Sequence, residues 1–95
     1  MLKNKLNRDK TDLYKSFSKL NKVKDVKLFL NDLLGKSEIE AICDRLLIAK
    51  EIKNHTPKIS ISKDNRISKA TIAKVQYVLD KGGNGYKIAL NKLES

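Results

Sequence analysis

The 95-residue sequence predicts an all-α fold of about six helices forming a single domain over 1–95. Three observations carry that prediction. Apolar residues recur at helical spacing along successive stretches, Ser, Thr and Gly punctuate those stretches as caps and stops, and only Ile59-Ser60-Ile61-Ser62 alternates with the period of a strand.

The elements follow in chain order. Leu13, Phe17 and Leu20 form the stripe of a first helix over 9–20, and Val26, Phe29, Leu30, Leu33 and Leu34 that of a second over 23–34, with Gly35 as its stop. Ser37-Glu38-Ile39-Glu40 reads as a capping box, in which Ser37 and Glu40 satisfy each other's backbone N–H groups, and opens a third helix running to about Asn54. Ile39, Ile42, Cys43, Leu46, Leu47, Ile48, Ala49 and Ile52 wrap this helix on more sides than one neighbour covers. It is therefore expected to be the core of a dimer, with Cys43 as a buried structural thiol.

Thr56-Pro57 is a helix start, with Thr as N-cap and Pro at the first helical position, yet the Ile-Ser alternation that follows is strand-like. A helix over 57–64 is preferred, because a lone four-residue strand would have no partner. Ser68 then caps a helix over 68–80 with Ile72, Val75 and Leu79 turned inward, and Gly82-Gly83 stops it. After the turn Lys81-Gly82-Gly83-Asn84-Gly85, the residues Tyr86, Ala89, Leu90 and Leu93 mark a last helix over 84–94.

Charge is segregated along this framework. The net charge of +10 divides into +6 over 1–27, −2 over 28–52 and +6 over 53–95. An AT-rich coding sequence also raises Lys, Asn and Ile, so the distribution carries more weight than the total. It describes a basic N-terminal helical region (1–27), dimer-core helices (28–55), a basic helix-turn-helix (56–80) and a C-terminal helix (84–94). Basic flanks around an apolar, acidic centre fit a polyanionic partner.

With Ile72, Val75 and Leu79 inward, Lys69, Ala70, Ala73, Lys74 and Tyr77 fall outside. Small alanines let a helix approach base edges, while lysines meet phosphates or guanine acceptors. Two short helices joined by a turn make a helix-turn-helix, whose second helix, headed by Ser68, is the candidate major-groove reader. Lys58, Lys63 and Lys69 are the expected phosphate anchors. The same residues also describe a solvated amphipathic helix.

Four blocks together resemble a known family. They are Phe29-Leu30-Asn31-Asp32-Leu33-Leu34 leading into Ser37-Glu38-Ile39, Arg45-Leu46 with Ile48-Ala49-Lys50, Ala70-Thr71-Ile72-Ala73-Lys74-Val75, and Gly82-Gly83-Asn84-Gly85-Tyr86-Lys87. In this order and spacing, over residues 28–93, the chain resembles the bacterial tryptophan-repressor superfamily and its short Trp-repressor-related branch. The resemblance implies an intertwined homodimer that binds double-stranded DNA. It places Lys69, Ala70 and Ala73 at base edges, and Thr71 and Lys74 near the DNA backbone or the ligand site. Of the family's two ligand arginines Arg45 matches one, whereas the other position holds Lys74, which lacks a guanidinium plane to stack on an indole ring. Gly35 stands where the family has threonine. Tryptophan is accordingly not expected as a corepressor, and no cofactor is implied. Arg45 is expected either to pair with an acid such as Asp44 or Glu38 or to lie at the surface. Arg66 occupies a glycine position in the motif's turn; a left-handed conformation costs Arg, Asn65 is the better candidate for it, and the preceding helix is expected to be distorted.

Other chemistries find little footing. The lone Cys43 excludes an intrachain disulfide, and together with the lone His55 it falls short of a zinc set. His55 reads as a local cap or an exposed residue, and Gly82-Gly83-Asn84-Gly85 lacks both the preceding strand and the Lys-Ser/Thr ending of a phosphate loop. No enzyme and no metal site are expected. Without an apolar run of membrane-spanning length or an apolar signal core, the protein is expected to be soluble and cytoplasmic. Two functions remain: a dimeric, sequence-specific transcriptional regulator, or a helical module that binds nucleic acid indifferently or binds protein and has lost operator reading.

Overall fold

The computed structural model describes residues 9–95; the first eight residues of the basic 1–27 region lie outside them. Among the described residues the chain is all-α, with six helices and no strand: α1 Lys10–Lys19, α2 Val23–Leu33, α3 Lys36–Lys53, α4 Lys58–Asn65, α5 Lys69–Asp80 and α6 Asn84–Glu94. None is long and apolar enough to cross a membrane. They group into two compact units, divided between Lys36 and Ser37.

In the first unit, the Asp9 carboxylate caps α1 by accepting the Thr11 N–H at 2.8 Å. That bond holds the Asp9 carboxyl below its ordinary pKa. Leu20 ends the helix in extended conformation. Phe17 of α1 meets Phe29 of α2 with ring centroids 5.1 Å apart and planes tilted by 46°, an arrangement that suits the ring quadrupoles. No residue of either helix is fully buried. Helix α2 stops at Leu33, with Leu34 extended, before Gly35 is reached.

The second unit holds the core. Ile48 and Ala49 of α3, Ile61 of α4, Ile67 of the turn, Ile72 and Val75 of α5 and Leu90 of α6 are buried, with Leu47, Ile52, Leu79 and Tyr86 packed against them. Helix α3 begins at Lys36, so Ser37 lies inside its first turn and is not the N-cap of a capping box. Its buried side is Ile48 and Ala49, while Ile42 and Leu46 remain 48% and 38% exposed and Cys43 is exposed. The expectation of a buried thiol is corrected: apolar residues surround α3, but among the described residues only part of them find neighbours.

Helix α3 ends in a Schellman turn, in which His55 is left-handed (φ 63°) and donates its N–H to the Ile52 carbonyl while Thr56 donates to that of Glu51. Thr56 is therefore not the cap of α4. Its hydroxyl donates to the Glu51 carboxylate at 2.6 Å, and Pro57 takes the N-cap position, its carbonyl accepting from Ser60 and Ile61. Asn84 and Gly85 open α6, which has the expected bounds of 84–94. Gly83 precedes them with φ 56°, where a Cβ would lie 2.9 Å from Leu79 Cα, so only glycine lets the chain pass this close. Across the unit, Lys53 of α3 reaches Glu94 at 2.9 Å and Asn91 at 3.1 Å, tying down the end of α6.

Candidate nucleic-acid interface

Helices α4 and α5 form a helix-turn-helix whose geometry begins with its turn. Arg66, not Asn65, takes the left-handed conformation (φ 54°, ψ 39°), and its N–H and that of Ile67 both donate to the Ser62 carbonyl. Asn65 instead donates its side-chain amide to the Ile61 carbonyl at 3.0 Å, and Ser62 donates its hydroxyl to the Ile67 carbonyl at 2.7 Å. These bonds engage the Ile61 and Ser62 carbonyls of α4 and hold the turn in which Ile67 joins the core. The expected distortion is absent: α4 is a regular eight-residue helix anchored by Ile61, 1% exposed.

Ser68 then caps α5, its hydroxyl accepting the Thr71 N–H at 3.2 Å and lying 2.9 Å from the Thr71 hydroxyl. Ile72 and Val75 are buried and Leu79 packs against them, as the spacing predicts. Ser68, Lys69, Ala70, Ala73 and Lys74 are exposed, and Thr71 is half-buried. Tyr77 continues the outer ridge at 63% exposure, with the Lys81 ammonium 5.5 Å from its ring centroid. Gln76 lies on the half-buried side, its amide donating to Asp80 at 2.9 Å.

Lys58 at the head of α4 and Lys69 at the head of α5 line one depression of about 320 Å³, floored by Ile59, Ile72 and Ala73. Two ammonium groups beside two helix N-termini make this side of the motif electropositive. Lys63 is exposed in the last turn of α4 and Lys74 on α5, both outside that depression. Sequence reasoning treated Arg66 only as a flaw in the turn, although the structure exposes this further cation between the two helices. The signal was present as a basic residue inside the connection.

A second depression, open and mostly apolar, has a volume of about 730 Å³ and lies between α3 and the α5–α6 connection. Ile42, Leu46, Tyr77 and Val78 form its wall, with Arg45 and Lys81 among its lining. Arg45 is exposed, the surface placement that the sequence allowed. Lys74 does not line this depression, so the two positions that match ligand arginines do not face one cavity here.

Comparison with known proteins agrees with this geometry. The profile of the family described as Trp repressor protein matches residues 9–94, extending the resemblance of residues 28–93 back over α1. The chain is also 27% identical over 82 residues to the uncharacterized protein YerC of Bacillus subtilis (strain 168), covering 86% of this chain and 79% of YerC. No solved structure matches it.

Proposed function

This chain belongs to the Trp repressor protein family, whose members regulate transcription and are not enzymes, and on that premise we propose that it is a cytoplasmic, sequence-specific DNA-binding regulator that acts as a homodimer. The observation that carries the reading is α5 itself. It is a firmly capped helix with its apolar stripe buried and Lys69, Ala70, Ala73 and Lys74 bare at its leading end.

Each part of the interface has a physical role. Lys69 and Lys74, on opposite edges of the outer face, meet the phosphates that wall the major groove, with Lys58 and Lys63 adding anchors from α4. Ser68 and Thr71 hold the first turn of α5 and bring its backbone N–H groups toward the same phosphates. Ala70 and Ala73 set how deeply the helix seats. Two copies present two such helices to successive grooves, and the half-exposed Ile42 and Leu46 of α3, with α1 and α2 lacking any fully buried residue, favour a second copy as cover. The single domain of 1–95 is in this reading a unit completed by its partner.

The experiment is selection of randomised duplex DNA by the purified protein at about 0.15 M salt, where non-specific contacts are weakened. A palindrome with half-sites about one helical turn apart is expected. A folded dimer that enriches no sequence overturns the reading in favour of a module indifferent to sequence. Tryptophan has no corepressor role in this proposal, since Lys74 offers no stacking plane and does not line the depression that Arg45 lines. Titration calorimetry that detects micromolar tryptophan binding would contradict it.

A further inference from the structure

The chemistry that α5 presents to DNA is narrower than its charge implies. At about 3.6 residues per turn, Ala70, Ala73 and Tyr77 share one ridge at i, i+3 and i+7, with Lys69 along one edge and Lys74 along the other. The other hydrogen-bonding side chains at or on the helix already have a partner within the chain. The Ser68 and Thr71 hydroxyls lie 2.9 Å from each other, and Ser68 also accepts the Thr71 N–H. Gln76, the one carboxamide of α5, is bonded to Asp80 on the half-buried side. Helix α5 contains no Arg or Asn. Bidentate reading of guanine by Arg, or of adenine by Asn or Gln, is therefore closed to the leading half of this helix, where Lys69 and Lys74 at the two edges are the only side chains left to reach a guanine acceptor. What remains at the centre of the ridge is a pair of methyl groups, both exposed.

We infer that α5 reads thymine C5-methyl groups through the side chains of Ala70 and Ala73, so that T·A pairs, not guanines, specify the half-site. This rests on the DNA-reading role proposed above and names the chemistry of its target. In the major groove thymine is the only base that offers an apolar group, and an alanine methyl packs on it without leaving a polar atom unpaired. Lys69 and Lys74, held to the edges of the face, supply attraction to phosphates that is strong and blind to sequence.

The test starts from the half-site obtained by selection. Each thymine is replaced in turn by deoxyuridine, which removes only the methyl group, and each guanine by 7-deazaguanine, which removes only the N7 acceptor. Affinity is expected to fall about fourfold for each thymine facing Ala70 or Ala73, the value of one buried methyl-sized group. The 7-deazaguanine duplexes should bind as the parent does. A variant carrying Ala70→Gly and Ala73→Gly should cease to distinguish thymine from deoxyuridine while keeping the parent's salt dependence, and the nucleotide series on the unaltered protein stands whether or not that variant folds. A selected half-site that is indifferent to deoxyuridine, or one weakened by 7-deazaguanine instead, overturns this inference and leaves the DNA-reading role intact. Failure to select any sequence overturns both.

Discussion

Arg66 holds a left-handed conformation that costs a non-glycine residue about 1–2 kcal/mol, and it does so because Ser62, Asn65 and Ile67 determine the turn around it. Asn65 was the better candidate by intrinsic preference, but its amide is worth more on the Ile61 carbonyl, where it closes the last turn of α4. Side-chain competition of this kind is invisible in a sequence, which records preference and not the alternatives a residue gives up. A prediction follows at this scale. Arg66→Gly should raise stability by about 0.5–1 kcal/mol, the relieved strain exceeding the extra freedom glycine brings to the unfolded chain. Thermal unfolding at fixed protein concentration should show a midpoint a few degrees higher. A lower midpoint would mean that the guanidinium itself supports the fold.

At the scale of the element, α5 was legible because a cap, a three-residue inward stripe and a glycine stop all agree along twelve residues. Helix α4, expected over 57–64 and found at Lys58–Asn65, was legible only by elimination of a partnerless strand, since its eight residues span barely two turns, too few for a helical period to stand out from an alternation of two. The alternation is nonetheless genuine: Ile61 is 1% exposed and Ile59 56%, and Ser62 turns its hydroxyl to the backbone of the turn that follows. On α5 the two exposed lysines carry charge without carrying the fold. Reversing both, Lys69→Glu with Lys74→Glu, should abolish DNA binding at about 0.15 M salt and leave the helical circular dichroism unchanged, a glutamate in the first turn being favourable to the helix dipole. Replacing both by Gln should keep weak binding and reduce the log-log salt slope by about 2, near 0.9 for each phosphate contact removed. Unchanged affinity in the Glu pair would remove α5 from the interface.

For the whole molecule, the sequence revealed that α3 is apolar on several sides, yet not which side this chain would cover. Ile48 and Ala49 turned out to face the chain's own core, leaving Ile42 and Leu46 outside it. Burial against oneself and burial against a partner use the same residue types, so composition alone does not separate them. The distinction makes the effect of Leu46→Asp sharper than a core substitution would be. At 38% exposure the new carboxylate has water within reach in a single chain, whereas in the proposed dimer, with Leu46 covered by a second copy, it would be an unpaired buried charge. The variant should keep its helix content and sediment as a monomer, and it should lose selective DNA binding because two half-sites are no longer bridged. Loss of helix content would place Leu46 in the core of the single chain.

The absence of any fully buried residue in α1 and α2 has a consequence in time as well as in energy. Helices with no buried anchor open locally at small free-energy cost, so their amides should exchange with deuterium early, while those of Ile48, Ile61 and Val75 wait for the unit as a whole to unfold. If the proposed dimer covers them, protection in α1 and α2 should depend on protein concentration, rising as copies associate. Deuterium uptake across a dilution series would follow assembly through the very helices that a lone chain leaves open.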